Sequence, residues 1–278
     1  MKKLCVIGDP VLHSKSPLIQ NTMIRALGLD YEYGCQTVKR EELERWQARV
    51  RAGEWAGFNA TMPHKQALVP YLDELDEDAR LYGAVNTVCN IDGKLYGYNT
   101  DGGGFARALA LAGIPILGTN FLLLGAGGAA RAVTLKLVQQ GARRVVICNR
   151  TQERAAELAA HAPDVIAVSG FSAAQLSQAA GECDVLINCT NLGMAGSPEW
   201  EDLSFLGALP PSAPVCDLIY HPLETTLLRR AGEQGHPIMN GLPLLIHQAI
   251  LALEHFTQTK IDAAAMLPLV QAALEQEH

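Results

Sequence analysis

The sequence predicts an α/β protein of two domains, an N-terminal α/β domain and a Rossmann-like doubly wound parallel sheet, closed by a helical C-terminal tail. Three observations carry this reading. Short apolar runs of strand length alternate with helix-patterned segments along the 278 residues, a glycine cluster at Gly102-Gly103-Gly104 interrupts the series, and the stretch from Leu242 to Glu275 is helical with no strand to pair with. A chain of this length suits one large domain or two modest ones. Hydrophobic residues make up 49% and mean hydropathy is +0.09, so the whole chain reads as folded.

In the first domain, Leu4 to Ile7 is a short buried strand ending at Gly8, and a helix runs from Ser16 to about Gly28, with Ser16 as N-cap and Pro17 in its first turn. Asp30 to Val38 is a second strand. In Arg40 to Ala52, Leu43, Trp46 and Val50 recur at helical spacing between solvated charges. Trp55 to Thr61 is a third strand, followed by the loop Met62-Pro63-His64-Lys65. An acidic helix is expected over Asp73 to Tyr82, and Ala84 to Asn90 and Lys94 to Asn99 flank the hairpin turn Asp92-Gly93. The first domain is therefore drawn as residues 1–101.

The second domain, residues 102–241, opens with a connecting helix and turn over 105–116. Strands follow at Phe121 to Leu124, Val145 to Cys148, Val185 to Asn188 and Val215 to Leu218. Helices are expected at Ala129 to Gln140, Gln152 to Ala160 and Leu223 to Gln234. The tail, residues 242–278, has Pro268 starting or kinking its last segment and is expected to pack back on the first domain.

Composition narrows the partners. The formal charge is −7 and no Lys/Arg cluster is present, so neither nucleic acid nor an anionic membrane surface is expected. The apolar run Leu4 to Ile7 is too short for a secretory core, and runs such as Phe121 to Leu124 and Leu242 to Ile246 are far below a membrane span. Seven cysteines, an odd number without a C-x-x-C pair, mostly lie in apolar runs and point to a reducing cytoplasm. The eight histidines lack ligand spacing, so no metal site is expected.

Gly125-Ala126-Gly127-Gly128-Ala129-Ala130 follows an apolar strand and opens a helix, in the pattern G-x-G-x-x-G/A. The first glycine makes the turn and the second lets a pyrophosphate approach the backbone. The small residue at Ala130 lets helix and strand pack. A dinucleotide site follows. At the next strand end, where NAD sites carry an acidic residue, stand Asn149, Arg150 and Thr151, with Arg154 one turn on. Guanidiniums pair with phosphate oxygens in a fixed fork, so NADP(H) is favoured over NAD; otherwise the two arginines are surface residues at a helix start.

Four polar segments occupy strand ends or loops of the first domain: Gly8-Asp9-Pro10 to His13-Ser14-Lys15-Ser16-Pro17, Asn59-Ala60-Thr61-Met62-Pro63-His64-Lys65, Gly83-Ala84-Val85-Asn86-Thr87 and Asn99-Thr100-Asp101-Gly102. Open α/β sheets collect such groups in the crevice beyond their strand ends. The inventory of hydroxyls, amides, lysine and carboxylate side chains suits a small polyhydroxylated acid. Taken singly, Asp101 is an ordinary turn former and Ser16 a helix cap.

These segments resemble the shikimate dehydrogenase family from Val6 to Gln248. The resemblance implies that Ser14 and Ser16 bind the substrate carboxylate, and that Asn59 to Lys65 contributes a substrate-binding Thr61 and the catalytic Lys65 alongside Asn59. It implies that Asn86 and Asp101 hold the ring hydroxyls, with Asp101 beside the lysine and counted with it as catalytic. It further implies that Tyr220 and Gln248 contact substrate, that Leu218 and Gly241 line the cofactor, and that NADP is used. The implied activity is reversible reduction of 3-dehydroshikimate to shikimate in aromatic amino-acid (chorismate) biosynthesis, by a monomer or homodimer. Ala60, Gln20 and Pro243-Leu244 depart from the family's usual residues, and Leu for Met beside the nicotinamide nearly conserves volume.

Ketone reduction needs an acid within hydrogen-bond reach of the carbonyl oxygen, and Lys65 and Asp101 are treated as a coupled pair for that role. Members of the family that also accept quinate tend to lose one of the paired serines, so the resemblance, with both Ser14 and Ser16 retained, implies shikimate over quinate. A broader quinate/shikimate dehydrogenase using NAD and a dinucleotide-binding sensor without turnover stand as alternatives.

Overall fold

The computed structural model describes residues 1–276; the last two residues of the expected 242–278 tail lie outside the described residues. The chain divides into two compact units, one formed by Met1–Gly104 with the segment from Ile246 onward, the other by Phe105–Leu245.

The first unit contains β1 (Lys2–Gly8), α1 (Ser16–Ala26), β2 (Tyr31–Thr37), α2 (Leu43–Arg51), β3 (Gly57–Ala60), the single turn α3 (His64–Ala67), β4 (Glu74–Leu75), α4 (Glu77–Tyr82), β5 (Thr87–Ile91) and β6 (Lys94–Tyr98). Helix α5 (Asp101–Leu111) begins here and continues into the second unit. The sheet order is β2-β1-β3-β5-β6-β4. Strands β2, β1 and β3 run parallel, while β5 pairs antiparallel with β3 and β6. One face packs Cys5, Ile7, Phe58, Ala60, Val88 and Leu95 against Trp46 and Val50 of α2. Trp46 meets Phe58 edge-on at 5.8 Å.

The second unit contains β7 (Asn120–Leu124), α6 (Gly128–Gln139), β8 (Arg144–Cys148), α7 (Gln152–Ala159), β9 (Ile166–Ser169), α8 (Ala173–Gly181), β10 (Val185–Asn188), β11 (Val215–Asp217), α9 (Thr226–Glu233) and β12 (Ile238–Met239). Its sheet, β12-β11-β10-β7-β8-β9, is parallel throughout. Central β7 has β8 on one side and β10 on the other, so the strand order reverses at its carboxyl end, the place where such sheets bind ligands. Helix α10 (Leu242–Thr257) starts in this unit and ends in the first, and α11 (Ala263–Glu275) runs with Pro268 inside it.

Several expectations need correction. The acidic helix over Asp73 to Tyr82 is a strand followed by a shorter helix, because Asp76 caps α4 by accepting from the Ala79 amide at 2.7 Å, and Glu74–Leu75 pair with Tyr96–Gly97. Ser16 is the first residue of α1 rather than its cap; Lys15 occupies that position without a side-chain cap bond. Strand β9, helix α8 and strand β12 are additions to the expected elements. The cue for α8 is present in the sequence, since Ser172 and Gln175 form a capping box.

The connecting helix begins at Asp101 instead of 105, so the glycine cluster is helical. Packing explains it: a Cβ on Gly104 would stand 2.7 Å from the Gln248 amide nitrogen and 2.8 Å from its Cβ. Within the first unit α5 and α10 touch backbone to backbone there. Likewise a Cβ on Gly57 would meet Phe256 of α10 at 2.8 Å.

Candidate active site

The polar segments of the first unit lie at one end of its sheet, because β1, β3 and β6 end where β5 begins. Val6 pairs with Asn59, Asn59 with Thr87 and Thr87 with Tyr98. Chain segments leaving those strand ends carry Ser14 and Ser16, Thr61 and Lys65, and Asp101.

The ammonium of Lys65 donates to Asp101 Oδ2 at 2.5 Å. The two side chains are 32% and 18% exposed, so the pair faces the open end and screening by water leaves it modest as a stabilising contact. Lys65 is set on α3 by two backbone links: Val85 N donates to its carbonyl at 2.8 Å, and the His64 amide donates to Thr61 O at 2.9 Å. Buried His64 adds a contact at 2.6 Å between Nε2 and the Val38 carbonyl. Asp101 is set by Asn99, whose Oδ1 accepts from its amide at 3.1 Å.

The second Asp101 oxygen, Oδ1, accepts from Asn86 Nδ2 at 2.8 Å. Asn86 also donates to Thr100 Oγ1 at 2.9 Å, and its Oδ1 accepts from Thr87 Oγ1 and the Thr100 amide, each at 2.9 Å. Asn59 gives its amide hydrogens to Asn86 O at 3.0 Å and Thr87 Oγ1 at 2.9 Å. Both asparagines are buried, and a ligand hydroxyl would reach either donor group only in exchange for one of these bonds.

Ser14, Ser16 and Thr61 are half-buried, and Ser14 Oγ accepts from the Ser16 amide at 3.2 Å. Gln248 lies on α10 in the first unit, near the start of that unit's share of the helix. Tyr220 belongs to the second unit and is exposed.

In the second unit the glycine-rich loop joins β7 to α6. Gly125 has φ +104°, and a Cβ there would press on Thr190 Cγ2 at 3.0 Å and the Cys189 backbone at 3.3 Å, so only glycine turns the chain. Gly127 and Gly128 have nothing within 4 Å of a Cβ position, which leaves the amides of the α6 N-terminus uncovered. This loop, Asn149, Arg150, Phe171 and Cys189 to Leu192 line a cavity of about 250 Å³. Asn149 braces the turn, donating from Nδ2 to Thr151 O at 2.6 Å. Thr151 and Arg154 are exposed at the start of α7. A second cavity of about 340 Å³ shares Arg150, Phe171 and Leu192, with Trp200 stacked on Phe171 at 6.1 Å. An open helix N-terminus with a guanidinium beside it fits a phosphorylated dinucleotide.

Leu218 and Gly241 meet in the same unit. The Gly241 amide donates to Ile219 O at 2.9 Å, and a Cβ on Gly241 would overlap the Leu218 carbonyl. Asp217, just before them, is fully buried. Its Oδ1 accepts from Asn188 Nδ2 at 3.0 Å and the Ile219 amide at 3.1 Å, and its Oδ2 from Thr225 Oγ1 at 2.7 Å. Burial nevertheless pushes its carboxyl up from 3.8 to about 6, against the pull of those donors.

A family model described as the shikimate dehydrogenase substrate binding domain matches residues 6–88, and one described as shikimate / quinate 5-dehydrogenase matches residues 109–194. The shikimate dehydrogenase (NADP(+)) of Symbiobacterium thermophilum is 41% identical over 98% of this chain and 94% of that protein. The chain belongs to the shikimate dehydrogenase family.

Solved shikimate dehydrogenases share the fold. The shikimate 5-dehydrogenase of Thermus thermophilus, in complex with NADP(H) and shikimate, superposes with a TM-score of 0.85 at 35% identity, over 98% of this chain and 100% of that one. The Listeria monocytogenes shikimate 5-dehydrogenase, in complex with shikimate and NAD, gives 0.89 at 33% identity over 97% and 96%. Beyond the residues expected of a shikimate dehydrogenase, the site includes Thr87 and Thr100, which lie in the quoted motifs without an assigned role. It also includes Tyr33, which lies in none and whose hydroxyl donates to Asn59 Oδ1.

Proposed function

We propose that this chain catalyses the reversible NADPH-dependent reduction of 3-dehydroshikimate to shikimate. The observation that carries the reading is the Lys65–Asp101 pair at the strand ends of the first sheet, whose two other polar segments, after β1 and before β5, supply hydroxyls and amides. Its supports are the family, the relatives named for this NADP-dependent activity, and a relative solved with NADP(H) and shikimate.

In this reading the first unit binds substrate. Ser14, Ser16 and the N-terminus of α1 receive the carboxylate, an anion set against unsatisfied helix amides. Thr61 and Gln248 hold the ring, and Asn86 and Asp101 its hydroxyls; Tyr220, in the second unit, is a substrate contact by resemblance to the family. The second unit binds NADP: the glycine loop Gly125 to Ala129 takes the pyrophosphate, Arg150, Thr151 and Arg154 the 2′-phosphate. Leu218 and Gly241 line the nicotinamide. When bound, NADPH supplies the hydride. Lys65, as an ammonium, gives a proton to the carbonyl oxygen as it becomes a hydroxyl; in the other direction neutral Lys65 accepts that proton. Asp101 keeps Nζ aimed at the oxygen.

The test is turnover with shikimate or quinate against NADP⁺ or NAD⁺, in all four combinations, followed by absorbance of the reduced nicotinamide. Turnover concentrated in shikimate with NADP⁺ is expected. Comparable rates on quinate or with NAD⁺ would replace this reading by a broader dehydrogenase, and none in any combination would leave a sensor.

A further inference from the structure

We propose that Tyr33, on β2, is a positioning residue for this reaction, acting on Asp101 through a one-way chain of hydrogen bonds, buried up to its last link. Tyr33 aligns with Leu4 and Leu4 with Gly57, so Tyr33 shares a sheet face with Asn59, two strands across and two residues on. Its hydroxyl donates to Asn59 Oδ1 at 2.6 Å. Asn59 Nδ2 donates to Thr87 Oγ1 at 2.9 Å, Thr87 Oγ1 to Asn86 Oδ1 at 2.9 Å, and Asn86 Nδ2 to Asp101 Oδ1 at 2.8 Å. The chain ends on the carboxylate whose other oxygen receives Lys65.

The direction of donation is what matters. A side-chain amide has a donor end and an acceptor end, and turned over it would offer the wrong group to each neighbour. Asn59 faces its hydrogens toward Thr87 because Tyr33 donates on its oxygen side and the Asn86 carbonyl accepts on its nitrogen side. Thr87, having accepted from Asn59, has its single hydrogen free for Asn86 Oδ1. Asn86, its Oδ1 held by Thr87 Oγ1 and by the Thr100 amide, points its NH₂ group at Asp101. Tyr33 stands at the head of this order. Burial and the neighbouring Cys5 and Cys35 thiols raise its phenol well above the usual range, so it remains a donor. Its strand position is held as well: Asn21 of α1 donates to Tyr33 O at 2.7 Å and accepts from Tyr33 N at 3.0 Å. Removing the phenolic oxygen leaves Asn59 Oδ1 buried without its donor and loosens the network that holds Asn86 against Asp101.

The proposal rests on Lys65 and Asp101 being the acting pair, and the experiment separates the two claims. Steady-state kinetics with shikimate and NADP⁺ are measured for the wild type, Tyr33→Phe, Thr87→Val, Thr87→Ser and the double variant Tyr33→Phe/Thr87→Val, each checked by thermal melting. The relay predicts a kcat about tenfold lower for Tyr33→Phe and for Thr87→Val, with KM within about twofold. Thr87→Ser, which keeps the hydroxyl, restores kcat. The double variant is no slower than the slower single one, because both break one chain. An unchanged kcat for Tyr33→Phe with a lowered Tm, failure of Thr87→Ser to restore what Thr87→Val loses, or multiplicative losses in the double variant would each overturn the relay. Should Tyr33→Phe not fold, the Val/Ser contrast at position 87 decides alone. A wild type without turnover defeats the reading of the site, and an active wild type with an indifferent Tyr33→Phe defeats only the relay.

Discussion

Asp101 is met by an ammonium on one oxygen and an amide on the other, so Lys65 has a fixed address. Lys65→Ala should therefore lower kcat by about 10²- to 10⁴-fold while changing KM far less, because its proton is needed only as charge develops on the carbonyl oxygen. A large rise in KM with kcat intact would reassign Lys65 to binding. Arg150, on the cavity wall beside the glycine loop, is expected to discriminate between cofactors. Arg150→Ala should weaken NADP⁺ by about tenfold or more, the scale of a charge-assisted hydrogen bond, and leave NAD⁺ nearly unaffected. Parallel losses, measured as Kd by titration, would count against a 2′-phosphate partner. At this scale the sequence was legible where function forces a local pattern. Lys65 follows a recognisable loop and Arg150 a strand end. Tyr33 was not legible, because a hydrogen bond that crosses a sheet to Asn59 leaves no spacing to read.

Among the elements, β11 ends on a buried carboxylate that ties β10, the chain after β11 and α9 together through Asn188, Ile219 and Thr225. Its folded value near 6 lies above the ordinary 3.8, so between those values the native state holds more protons than the unfolded one. Stability then falls as pH rises from about 4 to about 6 and levels off beyond. Over that window Asp217→Asn, which carries no charge, should gain on the wild type by roughly 3 kcal/mol, read from urea melts at each pH. A pH-independent difference would contradict the raised value. The helix contact at Gly104 gives another outcome. Gly104→Ala should lower Tm sharply, since the new methyl meets Gln248 backbone rather than a yielding side chain. Element legibility followed the same logic. Apolar runs gave the central strands of both sheets, whereas β4, β9 and β12 are short or marginal strands at sheet edges, set by their neighbours' hydrogen bonds. The triple glycine read as a break because sequence shows its flexibility and not the helix pressed against it.

At the scale of the whole molecule, two sheets present their ligand-facing residues beyond strand ends, and each unit is assigned one ligand. Hydrogen exchange should resolve that division. Shikimate alone is expected to protect segments around 11–17, 59–65 and 86–101, and NADP⁺ alone those around 125–131 and 149–154. Protection by NADP⁺ confined to the first set would reverse the assignment. The two-unit plan was legible because strand patterns differ between the halves. Its divisions were less so, since both fall inside continuous helices, α5 and α10, where composition does not change. The placement of tryptophan adds an optical consequence. Trp46 and Trp55 lie together in the first unit at 5.5 Å, while Trp200 stacks on Phe171 at the wall it shares with the glycine-loop cavity. Indole emits where reduced nicotinamide absorbs, so Trp200 is a built-in energy donor. Quenching of its emission, isolated in a Trp46→Phe/Trp55→Phe background, would time cofactor arrival without any attached dye.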